Sequence, residues 1–504
     1  MPSPYAGLLD QYGRPLKTAR RGGGIRAVVD LAQSSIESER HWVKADGLSA
    51  ASANSPDVRK KCRDRSRYER VNNSYCRGFV GRLAHDNIGT GPRLQLRISG
   101  VSEDAIRQTE DRFAGWAADG VVDLAEKYRV LDESTVGDGE CFGLQVTNPV
   151  VRDPVKLDLR LIETDQCETP DLAWDDATSV SGIRFDAAGN PIEYHFLKQH
   201  PGDQAWTGFG MDYDRVSAAY VLHWFTPSRP GEVRGLPEIT AALPLFAYLR
   251  RYTLAVINTA ENAAAISGIL ETELPPTDYG LTATTADGEP DMQIIPAVRG
   301  ALMATPAGMK FKGFAAEQPT TVFHDFVRAV LTEIGCVFQA PLSVVTGNDN
   351  DSSFSGGRLN LLPYHRKAWI RRARFKTRVA DPMFRAWHAE ASRIPDYLPA
   401  GLPDISLWAW DWQWDGFDSI DVIKEAQADA LELANNTLSL SEICARKGTD
   451  WKAVLKQRAA ELQLMTELGL PPPGPAAPVA ARRATVQADV DTVLEADALY
   501  SGGR

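Results

Sequence analysis

The sequence of 504 residues lacks the motifs by which most classes of enzyme are recognised. It contains no HExxH zinc motif, no GxSxG nucleophile turn, no GxxxxGK[ST] phosphate loop and no set of kinase loops. Its eight histidines are scattered and predict no cluster of metal ligands. We therefore expect a protein that is not an enzyme and that needs no metal or other cofactor.

Paired cysteines and long apolar runs are also lacking. The six cysteines form no CxxC pair, which favours reduced thiols in an intracellular protein. No apolar run reaches the roughly 18 residues that suggest a membrane-spanning helix, and the N-terminus lacks the apolar core of a signal peptide. We expect a protein that is made and kept under cytoplasm-like conditions, away from membranes.

An excess of positive charge is absent as well, since the formal net charge is −11. This excludes tight binding of nucleic acid through overall charge. The charge is unevenly distributed, however. Residues 59–70 and 366–378 each contain seven basic residues, whereas residues 411–442 are acidic. For the first basic run, the sequence predicts a solvated helix face.

Residues 320–378 combine a helix, a polar loop and a basic segment. Apolar residues at helical spacing predict an amphipathic helix from Val322 to Ile334. The loop, residues 347–357, consists almost wholly of Gly, Asn, Asp and Ser. Asp349 and Asp351 suggest a divalent metal, but turn chemistry explains this composition better. The combination is typical of a segment that contacts a large anion or moves against one.

Two long helices flank a small insert. The first is predicted from residue 237 to about residue 266, with a kink at Pro244. Residues 268–318 are punctuated by Pro and Gly and predict short strands, including GILETEL and MKFKGF. Before this unit, residues 128–235 predict a body of mixed helices and strands, with a hairpin turn at residues 187–190.

Four tryptophans, at positions 408, 410, 412 and 414, alternate along a predicted strand and therefore share one face. A platform for stacked bases and a buried or subunit-contact face both fit, and burial is favoured. The acids Asp411, Asp415, Asp418 and Asp421 suggest Mg²⁺ for a nuclease, but no nucleophile motif accompanies them. Helices are predicted beyond this strand, one of them capped at Ser441-Glu442.

Several of these stretches, in the same order, resemble the lambda-type family of phage portal proteins. The similar stretches are RSRYERVNNSYCRGFVGRLAHDNIGTGPRLQ, LIETDQCETP, HWFTPSRPGEVRGLPEITAAL, ATPAGMKFKGFAAEQPTTVFHDFVRAVLTEIG, TGNDNDSSFSGGR and WDGFDSIDVIKEAQADALELANNTLSLSEICARKGTDWKAVLKQRAAE. They span roughly residues 55–468. The sequence departs from the family pattern at Phe354-Ser355-Gly356-Gly357-Arg358, where the family has a tyrosine-serine-serine signature, and at Asp421-Val422, where it has Asp-Pro.

The resemblance implies an α+β portal fold assembled as a ring, usually a dodecamer, at one vertex of the capsid. Double-stranded DNA would be packaged and ejected through this ring, without sequence-specific contacts. The implied partners are further copies of the chain, the terminase large subunit, the major capsid protein or scaffold, and a head–tail adaptor. The implied location is the virion, after assembly in the host cytoplasm. A different head–tail connector oligomer and a Mg²⁺-dependent nucleic-acid enzyme are the alternatives.

The same resemblance divides the chain into functional parts. They are a flexible arm (1–24), the wing (25–235), the stem helix (236–267), the clip (268–318), the returning stem helix (319–338), the channel loop with a wing helix (339–401), the crown (402–470) and a flexible tail (471–504).

Two groups of residues are the site candidates. The channel loop is assigned Asn348, Asp349, Asn350, Asp351, Ser352, Ser353, Phe354, Ser355 and Arg358. The second group, Lys367, Arg371, Arg374 and Arg378, lies at helical spacings of 4, 3 and 4 and so shares one helix face. This basic face is predicted to contact either DNA or acids of a neighbouring subunit, with the neighbour favoured.

Overall fold

Helices and antiparallel sheets both contribute to the fold, which confirms the predicted α+β class. The computed structural model describes residues 47–170, 178–203, 212–265, 268–272, 309–313, 322–348, 354–417 and 422–470. The helices are α1 (Ala50–Ala53), α2 (Pro56–Asn72), α3 (Ser74–Ile88), α4 (Glu103–Ala118), α5 (Leu124–Gly137), α6 (Leu243–Ala265), α7 (Val322–Val337), α8 (Leu342–Thr346), α9 (Phe354–Phe375), α10 (Asp381–Ala391), α11 (Val422–Ala434), α12 (Leu440–Arg446) and α13 (Trp451–Glu467). A π-helical segment, Lys376–Ala380, joins α9 to α10.

The strands are short and pair in four small sheets. They are β1 (Arg93–Arg97), β2 (Glu140–Thr147), β3 (Leu157–Ile162), β4 (Ser179–Val180), β5 (Ile183–Phe185), β6 (Pro191–Leu197), β7 (Tyr213–Ser217), β8 (Val221–Phe225), β9 (Gly268–Thr272), β10 (Met309–Gly313) and β11 (Ala409–Gln413). The sheet orders are β3-β2-β8, β4-β5-β6-β7, β1-β11 and β9-β10, and all these pairings are antiparallel.

Local sequence signals explain several boundaries. Pro56 occupies the first turn of α2, where its missing N–H costs no hydrogen bond. Asn73 ends α2 and begins α3, because its side chain accepts from the backbone N–H groups of Tyr75 and Cys76. The predicted hairpin is confirmed, since β5 pairs with β6 across a turn in which Gly189 has a φ of 83°.

The two long helices occur as predicted, and β9 and β10 match the predicted strands GILETEL and MKFKGF. The other two strands predicted in this insert, MQIIPA and GALMAT, lie outside the described residues. A short 3₁₀ helix, Glu238–Ala242, leads into α6, so Pro244 lies in the first turn of the α-helix rather than inside it. The predicted kink at Pro244 is therefore wrong, because a proline in the first turn breaks no helical hydrogen bond. Helices α6 and α7 pack together, and Tyr252 stacks on Phe323 with ring centroids 5.6 Å apart.

An aromatic core surrounds the predicted tryptophan strand. Trp408 and Trp412 are buried, while Trp410 and Trp414 are partly buried and pack against the same core. The indole N–H groups of Trp410 and Trp412 both donate to Asp381 Oδ1, at 2.9 and 2.7 Å. The favoured prediction of a buried face is confirmed. A base-stacking platform is excluded for Trp408 and Trp412, because their rings are enclosed by their own chain.

The predicted boundary between wing and crown at residue 402 stays a prediction. Strand β11 pairs with β1 from the first part of the predicted wing, and its tryptophans pack against α4 and α10. Strand β11 is thus part of the same packed body as β1, and the helices that follow begin at Val422.

All six cysteines are free thiols, of which Cys336 is exposed. None of the helices in the described ranges combines the length and the apolar character that crossing a bilayer requires.

Candidate functional site

The predicted loop is shorter than its composition suggests. Helix α8 ends at Gly347, whose φ of 75° is left-handed, and Asn348 follows as an exposed residue. Helix α9 already begins at Phe354. Phe354, Ser355 and Arg358 therefore lie in helix, not in loop, which corrects the prediction. A helix tolerates polar residues and glycines in its first turn because its first four N–H groups need no helical partner. Asp349, Asn350, Asp351, Ser352 and Ser353 lie outside the described residues.

An arginine that the sequence did not single out lies at the entrance of this loop. A Cβ added to Gly347 would stand 2.6 Å from Nη2 of Arg82, so the guanidinium packs directly against the glycine. Arg82 is exposed and lies on α3. Sequence alone could not find it, because residues 82 and 347 meet only in the folded chain.

The predicted basic helix face is mostly used inside the subunit. Arg371 is only 8% exposed, and it donates to Asp132 Oδ1 at 2.6 Å and to Glu238 Oε1 at 2.7 Å. It also donates to Thr135. Burial alone would raise the pKa of Glu238, but its ion pair with Arg371 lowers that pKa instead. The prediction that Arg371 contacts DNA or a neighbouring subunit is therefore wrong, because its donors are taken by its own chain.

The other three members of the face differ in exposure. Lys367 is partly buried with Nζ 4.6 Å from the centroid of the Phe338 ring, and burial lowers its pKa. Arg374 donates to the Phe225 carbonyl at 3.0 Å. Arg378 lies exposed in the π-helical segment. Contacts of Lys367, Arg374 and Arg378 with DNA or a neighbour remain a prediction.

Arg372, which was not among the predicted site residues, holds helix α9 in place. It donates to the backbone carbonyls of Asp86, Asn87 and Asp415 at 2.8 to 3.0 Å. The hydroxyl of Tyr364 donates to Asp86 Oδ2 at 2.6 Å. Helix α9 is thus held at two points against α3, so the loop enters a rigid element.

The first basic run is a solvated face only in part. Arg59 and Arg63 are buried, and Arg63 pairs with Asp165 at 2.7 Å. Arg67 pairs with Asp138 at 2.7 Å, and Arg70 pairs with Glu133 at 2.5 Å. The expectation of a solvated face holds for the exposed Lys60, Lys61 and Arg65. It is wrong for the other four basic residues, because partners distant in sequence, which periodicity does not reveal, cover that side of the helix.

A second buried charge network lies between the two larger sheets. Glu140 accepts from Arg234 Nε at 2.8 Å and from the backbone N–H of Gly235 at 2.9 Å. Its other neighbour is His223, with Nε2 2.9 Å from a carboxylate oxygen. Burial would raise the pKa of Glu140, but Arg234 and His223 together lower it well below the usual range. Burial also lowers the pKa of His223.

The acidic residues near the tryptophan strand have structural partners. Asp411 pairs with Lys376 at 2.9 Å. Asp415 accepts from the backbone N–H and the hydroxyl of Thr90, at 2.6 and 2.9 Å. Asp418 and Asp421 lie outside the described residues. Asp411 and Asp415 are thus engaged by a lysine and by a loop, which weakens the nuclease interpretation.

One group of side chains has the composition of a metal site. Glu163, Asp165 and His200 bring ligand atoms within 4.8 Å of one another, although the sequence predicted no histidine cluster. Arg63 and Arg67 already bind Asp165, at 2.7 and 2.9 Å. A cation would have to compete with two guanidinium groups, so the arrangement fits an ion-pair network better than a metal centre.

Comparison with known proteins identifies the family. The phage portal proteins of the lambda family match residues 38–372, about two thirds of the chain. A probable portal protein of Halomonas phage phiHAP-1 is 24% identical over 442 residues, which cover 82% of each chain.

Solved structures show more distant likenesses. The neck of an empty gene transfer agent particle has 15% identity and a TM-score of 0.43, covering 75% of this chain and 91% of that one. An HK97 family phage portal protein from Corynebacterium diphtheriae has 12% identity and a TM-score of 0.30, covering 68% and 94%. The family assignment rests on the sequence match, and by that match the chain belongs to the lambda family of phage portal proteins.

Proposed function

We propose that further copies of this chain assemble with it into a closed ring at one vertex of a phage capsid. Double-stranded DNA is packaged and later ejected through the channel of this ring. The ring is the docking site first for the terminase large subunit and then for a head–tail adaptor, and the capsid protein or scaffold surrounds it. The chain itself catalyses no reaction in this role.

The observation that carries this proposal is the unit formed by α6, β9, β10 and α7. In chain order, two packed helices flank an antiparallel strand pair in which Gly268 lies opposite Gly313. Residues 38–372, which match the family, include this whole unit. We assign α6 and α7 to the stem, residues 268–318 to the clip, the preceding α+β body to the wing and the helices from Val422 onward to the crown.

The physical demands on a DNA conduit fit the distribution of charge. DNA has to slide, so contacts with phosphates should be weak and should not read bases. The chain has a net charge of −11, and five of the fourteen basic residues in its two basic runs form ion pairs with acids of the same subunit. A strong and salt-dependent grip on DNA is thereby avoided.

Imaging of the purified full-length protein by negative-stain electron microscopy tests the assembly. The proposal predicts rings with a central hole. A population of compact monomers across a range of protein concentrations would contradict it.

We further propose that the loop after Gly347 lines the channel, with Arg82 beside it. Deletion of residues 348–353 should leave rings intact, because α8 and α9 are anchored independently of the loop. Packaging or retention of DNA should fail in particles built with this variant. Loss of the rings themselves would show that the loop serves assembly instead.

A further inference from the structure

A cavity of about 330 Å³ lies beside the start of α2. It is lined by α1, by the residues that lead into α2, by the β4–β5 turn and by residues 232–234. Ala51, Ser52 and Pro56 line it and are exposed, so the cavity opens to solvent. Its volume exceeds the space that a single bridging water needs, so it has room for a small ligand.

The cavity is lined by a buried cation that has no acidic partner. Arg59 is only 5% exposed. Its guanidinium donates to the backbone carbonyl of Asn54 and to Ser181 Oγ, the latter at 2.9 Å, and both acceptors are neutral. Within the described part of the chain, no carboxylate forms an ion pair with Arg59. The buried Arg63 and Arg234, by contrast, each pair with an acid.

The surroundings leave the charge of Arg59 uncompensated. Burial and the positive charge of Arg234 lower the pKa of Arg59 to about 10, and Glu140 and Glu168 offset this only in part. Glu140 itself is paired with Arg234. A charge that is buried without a counter-ion is unfavourable, so an anion in the cavity would be stabilised by Arg59.

Arg59 also has donors to spare. A guanidinium carries five N–H donors, and Arg59 makes only the two hydrogen bonds described. Arg372, another buried arginine without an acidic partner, is satisfied differently, because three backbone carbonyls accept its hydrogen bonds. Arg59 lacks such a set of acceptors among the described residues, and its remaining donors suit the oxygens of a ligand.

A buried acceptor lines the same cavity. Asn54 is 6% exposed, and its Nδ2 donates to the backbone carbonyl of Arg234 at 2.9 Å. That contact fixes the orientation of the amide. The other atom of the amide, Oδ1, is buried and has no hydrogen-bond partner among the described residues. Since buried polar atoms are normally satisfied, this oxygen calls for a ligand that donates a hydrogen bond.

The carboxylate that lines the cavity does not neutralise Arg59. Glu232 accepts from the backbone N–H groups of Ser228 and Arg229, at 2.5 and 3.1 Å, and so is held in its own loop. Its negative charge favours a ligand that keeps a proton over one that is fully ionised. The cavity thus combines the donors of a cation with an acceptor for the proton of the ligand.

We propose that this cavity binds a small oxyanion of the phosphate class. Arg59 donates to its anionic oxygens, and Asn54 Oδ1 accepts from its hydroxyl group. Arginine binds phosphate oxygens through strong, charge-assisted hydrogen bonds. Near neutral pH phosphate keeps a proton and sulfate keeps none, so the site selects phosphate over sulfate. The inference does not depend on the proposed ring.

Isothermal titration calorimetry of the full-length protein with sodium phosphate and with sodium sulfate, at pH 7 and constant ionic strength, tests the site. We expect phosphate to bind each subunit at a single site. Sulfate should bind at least about ten-fold more weakly, because it leaves Asn54 Oδ1 without a donor. Arg59→Gln should weaken phosphate binding at least about ten-fold, because the charge-assisted hydrogen bonds are lost.

A rim substitution keeps the test independent of the folding of Arg59→Gln. Ala51→Glu adds a second negative charge at the exposed rim and should weaken phosphate binding. Ala389→Glu, the same substitution at an exposed position of α10 that does not line the cavity, is the control and should bind phosphate like the wild type. Equal phosphate affinities of these two variants would overturn the inference.

The remaining outcomes also decide the matter. Failure of the wild type to bind phosphate at millimolar concentrations would show that the cavity holds only water, and would overturn the inference. Unchanged phosphate binding by a folded Arg59→Gln variant would also overturn it, because the anion would then bind elsewhere. Equal affinities for phosphate and sulfate would overturn the role of Asn54. Absence of rings would contradict the proposed function and leave this inference in place.

Discussion

At the scale of single residues, buried ion pairs within the subunit dominate the chemistry of this chain. Arg371 connects Asp132 on α5 with Glu238 in the 3₁₀ helix before α6, and Glu140 connects Arg234 with His223. Removing one member of such a pair leaves an uncompensated charge away from water, which is more costly than losing a surface contact. These arginines therefore fix the fold and are not available to DNA.

The first prediction concerns Arg371. Arg371→Ala should lower the free energy of unfolding by about 3 to 5 kcal/mol, because Asp132 and Glu238 lose their buried partner. The measurement is thermal or denaturant-induced unfolding. Arg378→Ala, on the same helical run but exposed, is the control and should change stability by less than about 0.5 kcal/mol. Equal effects of the two substitutions would show that Arg371 is not buried as described.

A second prediction concerns the pH dependence of stability. The pKa of Glu140 is lowered in the folded chain, so its contribution is present above the usual glutamate pKa and is lost as pH falls toward the lowered value. The melting temperature of Glu140→Gln should lie well below that of the wild type at pH 7. This difference should shrink once the pH falls below about 4.

The matched control for Glu140 is Glu467→Gln, on the exposed end of α13. It should melt like the wild type throughout this pH range. A gap between wild type and Glu140→Gln that stays constant down to pH 3 would contradict the assignment of a buried, charged carboxylate.

At the scale of elements, a cap identifies the true start of α12. The sequence pointed to Ser441-Glu442, but in the structure Ser439 and Glu442 form the reciprocal capping box. Ser439→Ala should therefore destabilise the C-terminal helices by about 1 kcal/mol, while Ser441→Ala should have little effect. Hydrogen exchange of the α12 amides measures this directly. The reverse order of effects would favour the start suggested by the sequence.

Elements with strong local signals were predictable from the sequence. The tryptophans at every second position predicted a buried strand face, and the residues around Gly189 predicted a hairpin. Pro56 predicted the start of a helix. The predictions failed where segments that are distant in sequence meet in the fold. The partners of Arg63 and Arg371 lie about a hundred and more residues away, so helical spacing alone suggested free basic faces. The pairing of β11 with β1 is equally non-local, and the alternation within either strand does not predict it.

The candidate site was predictable only in outline. The polar composition after Gly347 marked the end of α8, but not the point at which α9 begins. Arg82 and Arg372 contribute through contacts made by folding, and neither stood out in the sequence. Spacing along a helix identifies which residues share a face, but not whether that face points inward.

At the scale of the whole molecule, the chain combines an α+β body with a buried core and C-terminal helices that are mostly exposed. The body buries aromatic residues and ion pairs, whereas α11 and α13 expose leucines, isoleucine and valine. In the portal ring that we propose, further copies of the chain would surround such a subunit.

The most direct test of the portal assignment is the position of this chain in the phage particle. The chain, carrying a gold-labelled tag, is incorporated during phage assembly, and DNA-filled particles are examined by electron microscopy. If the chain is the portal, we expect the label at a single vertex of each particle, the vertex that carries the tail. Label spread over the whole shell, or absent from DNA-filled particles, would contradict it.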